Sequence, residues 1–204
     1  MMIILLLACL ISFLSGACPW SLLIGRWLLK KDIRNYGDGN PGAANVFRAG
    51  GRSIGVIALF LDVLKGTPGV FLAVNVFHFD DILTYIIGLS AILGHAFSPF
   101  LRFKGGKAVA VTYGVLLFLP YHEILILFAA GMFLGFLFLE NDSWTVMLGP
   151  GAALTYLGVT RPLSWEINFY FVLCMLVVFT VKQFNDLQSV PGYRGKLLRW
   201  LFRK

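Results

Sequence analysis

Long apolar runs, each closed by a short polar or glycine-rich interval, set the pattern of this sequence. The runs cover residues 1–29, 54–77, 82–101, 108–119, 124–139, 144–159 and 167–181. Within each run the apolar residues are continuous and do not alternate, which points to helices and away from barrel strands. A membrane crossing takes about 20 residues, so the fourth, fifth and last two runs are short for one. They are expected to borrow flanking residues, to tilt, or to cross a locally thin bilayer. The pattern predicts an all-α, polytopic membrane bundle of about seven transmembrane helices in one domain spanning 1–204.

Two runs need closer reading. Residues 1–17 end in Ser15-Gly-Ala-Cys18, faintly like a processed signal. No basic n-region precedes them, however, and the apolar run continues to Leu29, so a retained first transmembrane helix is predicted. The second run contains Asp62, Lys65, Gly66, Pro68 and Gly69 and is expected to be two shorter helices meeting at a break.

Composition agrees with this class. Hydrophobic residues make up 58% and charged residues only 13%, whereas a soluble domain has about a quarter charged. Mean hydropathy is +0.81. The net charge of +7 is explained by where the basic residues fall. With the N-terminus outside, loops 30–53 and 102–107 and the tail from 182 share one side and carry nearly all of them. The opposite side has only Arg161. The positive-inside rule then gives an outside N-terminus and a cytoplasmic C-terminus. The stretch 192–204 mixes bases with bulky apolar residues and suits an interfacial helix on anionic lipid. The charge reads as topology and lipid contact, with no nucleic acid implied. Cys9, Cys18 and Cys174 lie in or beside apolar runs without metal or redox spacing and read as packing residues. No internal repeat is evident, which weighs against inverted-repeat transporters.

The polar island Tyr36-Gly-Asp-Gly-Asn-Pro-Gly-Ala-Ala-Asn-Val-Phe-Arg48 is the first stretch with chemistry. Gly37, Gly39 and Gly42 allow positive φ and close approach of a ligand to the backbone. Asn40 can cap a helix that starts at Pro41, or the chain can turn tightly over Pro41-Gly42. Either way, N–H groups near Gly42, Ala43 and Ala44 can face one anion. In a continuing helix Asn45 and Arg48 share a face, and Arg48 can hold phosphate or carboxylate in a bidentate grip. The plainer alternative is a capped turn between membrane helices, with Arg48 among lipid headgroups.

The second such stretch is Gly94-His-Ala-Phe-Ser-Pro-Phe-Leu-Arg-Phe-Lys-Gly-Gly-Lys107. Gly105-Gly106 breaks the chain just before an apolar run. Lys107 therefore faces the positive end of a helix dipole, a conflict that a bound anion would resolve. Simple interfacial anchoring accounts for Arg102 and for Lys104, less well for the paired glycines. His95 is a general base, a neutral donor to a ligand oxygen, or a partner in an interhelical hydrogen bond. His78 and His122 fall in short outer loops and receive no role. Asp62 and Lys65, three apart inside the membrane, either line the site or neutralise each other at the break. Arg26 reads as a snorkelling anchor. Neither a His-x4-Asp pattern, a phosphate-binding Walker motif, a Gly-x-Ser-x-Gly elbow nor a metal cluster is present.

Taken in order, Leu23-Ile-Gly-Arg26, Gly37 to Arg48, Leu61-Asp-Val-Leu-Lys-Gly66, Gly94-His-Ala-Phe97 and Phe103-Lys-Gly-Gly-Lys107 carry a resemblance. The chain resembles the bacterial membrane acyl-phosphate:glycerol-3-phosphate acyltransferases from Ser21 to about Gly114. The resemblance implies acyl transfer from acyl phosphate to the 1-hydroxyl of glycerol 3-phosphate, at the cytoplasmic face of the plasma membrane. It implies no cofactor, no acyl-CoA and no metal. By the same resemblance the loop from Gly39 to Ala44, with Gly39, Asn40, Gly42 and Ala43, would hold phosphate together with Arg48, and Asp38 is a further candidate in the same loop. Lys107 with Gly105-Gly106 would bind a second phosphate or neutralise the leaving group, and Lys65 and Lys104 are further phosphate candidates. Asn45 and His95 would position the glycerol or the carbonyl, with His95, Arg48 and Lys107 forming the catalytic set. The family pattern differs in having serine at Asp38, where a carboxylate would repel phosphate. It also has glycine and threonine at Ala108 and Val111. Its third motif is replaced here by Asn185-Asp-Leu-Gln-Ser-Val-Pro-Gly192. Two other classes fit these departures: a non-catalytic lipid- or phosphate-ester-binding membrane protein, and a small anion transporter.

Overall fold

A computed structural model of the protein describes residues 2–160 and 167–193. Arg161 and the basic stretch 194–204 of the expected interfacial helix lie outside the described residues. Among those described, all regular structure is helical: α1 (Met2–Ala17), α2 (Trp20–Leu28), α3 (Ala43–Arg48), α4 (Arg52–Leu64), α5 (Thr67–Asn75), α6 (Asp81–Ala96), α7 (Val109–Phe118), α8 (His122–Phe138), α9 (Asp142–Thr160) and α10 (Ile167–Leu187). Short 3-10 turns stand at Ile33–Asn35 and Pro99–Leu101. Four stretches are long and apolar enough to cross a membrane: Met2–Leu28, Arg52–Asn75, Asp81–Leu101 and Ile167–Leu187. Helices are the local answer to hydrocarbon, because they satisfy their backbone groups within one segment.

The first span is not one helix as expected. It breaks at Cys18-Pro19, because Pro19 has no N–H to give and restricts the residue before it. The second span breaks between α4 and α5 at Lys65-Gly66, as its glycines and proline predict. The two breaks are tied together. Lys65 Nζ donates to the Cys18 carbonyl (2.8 Å) and pairs with Asp62 Oδ1 (2.7 Å). Ser15 Oγ donates to the Lys65 carbonyl (2.7 Å), and Ser21 Oγ donates to Asp62 Oδ2.

The chain forms two compact units, Met1–Pro120 and Tyr121–Lys204. In the first, helices meet backbone to backbone. A Cβ on Gly16 would stand 2.1 Å from the Ala91 carbonyl oxygen, and one on Gly94 would stand 2.0 Å from that of Phe13, so α1 and α6 touch along glycine. Gly114 on α7 meets the Val63 carbonyl of α4 in the same way, at 1.9 Å. Such close packing is how membrane helices associate without a hydrophobic driving force between them.

The second unit is α8, α9 and α10 around Phe128, Phe179, Met175 and Ile124, all but fully buried. Asn141 caps α9 by accepting from Ser143 N–H at 2.8 Å. Ser143 Oγ donates to Asp186 Oδ2 (3.0 Å) and Trp144 Nε1 to the Ser189 carbonyl (2.8 Å), fixing the C-terminal end of α10 to the start of α9. α9 continues through Pro150 without stopping.

Candidate active site

The segment joining α2 to α4 packs as a small core of its own. Ile33, Val46, Ala43 and Ala49 bury against Leu22, Ile24 and Ala58. Asp32 holds its entrance: its carboxylate accepts from Arg34 Nη2 (2.6 Å) and Arg26 Nη2 (2.9 Å), and from Arg34 N–H at 3.1 Å. The Arg34 hydrogen bond foremost, with Arg26 adding to it, outweighs the burial that would raise the Asp32 carboxyl and holds it far below the usual range. Arg26, read from sequence as a lipid anchor, is thus engaged with Asp32, six residues on.

The chain then turns through Gly37 (φ 58°) and Gly39 (φ 73°), both in the left-handed region. Gly37 has a second constraint, since a Cβ there would fall 2.4 Å from Asn45 Oδ1 and 2.7 Å from Arg48 Cδ. Between these glycines stands Asp38. Its Oδ1 accepts from the Asn40 N–H (3.2 Å) and from Asn45 Nδ2 (2.9 Å). Asn45, buried on α3, also donates to the Asn40 carbonyl (2.9 Å), and its Oδ1 accepts from Arg48 Nη1 (2.9 Å). The shared helical face of Asn45 and Arg48 is as the sequence predicts. Of the two starts the sequence allows, the structure takes the one with the chain turning over Pro41-Gly42: α3 begins at Ala43 with Gly42 as its cap. The Asn40 side of the turn is engaged by Asp38, and the chain bends over Pro41-Gly42 before the helix begins.

The second loop leaves α6 at Ala96. Ser98 Oγ donates to the Ala17 carbonyl (2.6 Å), seating the loop on the break in the first span. Arg102 (φ 53°) and Phe103 (φ 62°) take left-handed conformations, and Gly105-Gly106 then passes directly over His95. Gly106 N–H donates to the His95 carbonyl at 3.1 Å. A Cβ on Gly105 would lie 2.0 Å from the His95 carbonyl oxygen, and one on Gly106 2.3 Å from Nε2 of the imidazole. The paired glycines exist because nothing larger fits between this loop and His95. Lys107 follows at once, and Ala108 (φ 62°) caps α7 in a conformation where glycine is at ease.

Lys107 Nζ lies 2.9 Å from Asp38 Oδ2, which joins the two loops across the chain. Arg48 Nη1 stands 3.8 Å from the other carboxylate oxygen. The anion that sequence reasoning asked for beside Lys107 is therefore already present, and it is Asp38. Burial alone would push the Asp38 carboxyl up. Lys107, through its hydrogen bond and its charge, together with Asn40 N–H and Asn45, outweighs that and holds it below its ordinary value.

Of the residues singled out in the sequence, Asp38, Asn40, Asn45, Arg48 and Lys107 form one connected cluster, with Gly39, Gly42 and Ala43 shaping its backbone. His95 lies beneath Gly105-Gly106, the pair that leads into Lys107. Lys104 is exposed. Lys65 is 5% exposed and directed to Asp62 and Cys18 at the helix breaks. Sequence reasoning missed the carboxylate partners of Arg26 and Lys107. Asp32 between two arginines was a usable signal for the first; the second pairs residues 69 positions apart. No group of three or more His, Cys, Asp or Glu gathers among the described residues as a metal site would. Among the described residues the cluster has two cations, one carboxylate and several donors, an arrangement suited to phosphate.

Comparison with known proteins gives one family. A family model described as glycerol-3-phosphate acyltransferase matches residues 6–187. The glycerol-3-phosphate acyltransferase of Streptococcus gordonii is 32% identical over 205 residues, covering 96% of this chain and 93% of its own. Glycerol-3-phosphate acyltransferase 2 of Bacillus anthracis is 38% identical over 176 residues, covering 86% and 88%. The crystal structure of PlsY, an integral membrane glycerol 3-phosphate acyltransferase in its glycerol 3-phosphate form, superposes with a TM-score of 0.80 at 28% identity, covering 97% of this chain and 98% of that one. Its lysophosphatidic acid form gives 0.74 at 27% identity, covering 97% and 91%.

Proposed function

The chain belongs to the glycerol-3-phosphate acyltransferase family, and from that membership we propose that it acylates glycerol 3-phosphate at its 1-hydroxyl from an acyl phosphate donor. It is a multi-pass integral membrane acyltransferase, and its reaction serves phospholipid synthesis. In the proposed chemistry the hydroxyl oxygen attacks the acyl carbonyl carbon and a tetrahedral oxyanion forms. The carbon–oxygen bond to phosphate then breaks, giving lysophosphatidate and inorganic phosphate. The hydroxyl proton goes to the His95 imidazole or to a substrate phosphate oxygen. Arg48, Asn45 and Lys107 hold phosphate oxygens, and the loop over His95 positions the carbonyl. Approximation and charge stabilisation supply most of the rate.

The observation that carries this reading is the meeting of Asn45, Arg48 and Lys107 at a single carboxylate. Three phosphate-type donors from two distant loops converge beside a buried histidine. The same ion pair puts loops 30–53 and 102–107 at one end of the first unit. That supports an active site at the cytoplasmic face, where the basic residues concentrate. About seven crossings is the reading of the apolar runs, and an outside N-terminus that of the charge pattern.

The test is acyl transfer by purified protein in detergent, with a long-chain acyl phosphate, glycerol 3-phosphate and parallel measurement of phosphate release. Lysophosphatidate should form in step with phosphate, and Arg48→Ala should lose it. Phosphate release without lysophosphatidate would move the acceptor elsewhere. No product above the Arg48→Ala control would sink the reading.

A further inference from the structure

Among the described residues, Asp38 is the acidic member of a cluster otherwise made of cations and amides. Its Oδ2 meets Lys107 Nζ at 2.9 Å. Its Oδ1 meets Asn45 Nδ2 at 2.9 Å and the Asn40 N–H at 3.2 Å, with Arg48 Nη1 at 3.8 Å. Two oxygens of one anion therefore engage, across both loops, the donors that a phosphate group would need. The side chain keeps 33% exposure, so it is reachable from water. It also stands between two left-handed glycines, Gly37 and Gly39. That flanking backbone can change conformation without the steric cost other residues would meet.

We propose that Asp38 is a specificity-determining residue, a resident carboxylate that takes the phosphate position between ligands and must leave Lys107 for a substrate phosphate to bind. The inference rests on the reading of this cluster as a phosphate site. While no phosphate is bound, Asp38 keeps the ammonium, the guanidinium and the Asn45 amide in register and spares the loops the repulsion between two cations. When phosphate arrives it gains the same donors and the carboxylate swings out. Displacement opposes every phosphate ligand, and it acts most plainly on inorganic phosphate, which has no acyl chain or glycerol to add affinity. The carboxylate thus sets the site to release its inorganic product.

The experiment compares full-length protein with Asp38→Asn in detergent. Inorganic phosphate binding is measured by calorimetry, and lysophosphatidate formation at varied glycerol 3-phosphate in the same preparations. Asparagine keeps an acceptor for the Asn40 N–H and removes the charge. Phosphate should bind about tenfold tighter to Asp38→Asn, the order expected for removing one like charge at a partly screened site. KM for glycerol 3-phosphate should fall, with kcat unchanged or lower. A structural role alone would weaken phosphate binding and lower kcat together. Equal or weaker phosphate binding in Asp38→Asn, with its melting midpoint within about 3 °C of the parent, overturns the proposal. If that variant melts lower, Asp38→Ser is read by the same criterion. Lysophosphatidate formation without tighter phosphate binding in either variant overturns the displacement and leaves the acyltransferase reading standing. Tighter phosphate binding in a protein that makes no lysophosphatidate does the reverse.

Discussion

Two aspartate–lysine pairs in the first unit have nearly the same length and opposite characters. Lys65 and Asp62 lie 2.7 Å apart with side chains only 3% and 2% exposed, three residues apart on one helix turn. Lys107 and Asp38 lie 2.9 Å apart at 17% and 33% exposure, on two loops distant in sequence. The first pair is closed on all sides: Ser21 donates to Asp62, and the Cys18 carbonyl accepts from Lys65. The second lies on two glycine-containing loops and is partly open to solvent. An intramembrane charge invites a functional reading, yet Asp62 and Lys65 spend their bonds on two helix breaks. The accessible pair is the one whose partners can be exchanged.

That contrast makes separable predictions. The largest effect should follow Lys65→Ala, which leaves Asp62 buried without its cation. A loss of about 3–5 kcal/mol is expected, read as a collapse of folded yield and melting midpoint in detergent. Asp62→Leu combined with Lys65→Met should recover most of it, because removing both charges removes the desolvation cost with them. Tolerance of the single change would mean the pair is not sealed. Next, Lys107→Ala should lower kcat/KM about 10²–10³-fold while moving the melting midpoint by no more than about 3 °C. Lys104→Ala, at an exposed position, should cost about threefold or less. Equal losses at 104 and 107 would return Lys107 to an interfacial anchor.

The smallest effect is pH-dependent. Among the described residues Lys107 and Arg48 are the charged groups facing Asp38, and its folded pKa lies below the unfolded value of about 3.9. Its contribution to stability is therefore complete above that value and is lost as pH falls through the folded pKa. Because a third of the side chain is exposed, screening limits the contribution to about 0.5 kcal/mol. Unfolding measured from pH 6 down to about 3 should show a shallower acid slope in Asp38→Asn than in the parent. Identical slopes would remove Asp38 from the account.

Much of the fold is legible because proline, glycine and continuous apolar runs are local signals. The break at Gly66-Pro68 and the loop before α7 follow from residues adjacent in the chain. Pro19 was equally visible but was overridden by the apolar character on both sides, which marks the span and not the helix. The start of α3 stayed open between two readings because Asn40 is a good cap by type, and its competitor for the turn, Asp38, is recognised only once folded. The partner of Lys107 was out of reach for a deeper reason. A sequence gives the sign of a charge, and from sign alone a carboxylate beside a phosphate site reads as repulsion. Only geometry shows that it is the counter-ion.

The backbone contacts of Gly16 and Gly94, and of Gly114 with the Val63 carbonyl, also bear on how a lipid-borne donor reaches this site. A seam with no room for one added carbon has none for a hydrocarbon tail. At these contacts α1 meets α6, and α4 meets α7, too closely to admit an acyl chain. In the proposed reaction the donor's fatty tail would reach the site past neither of them.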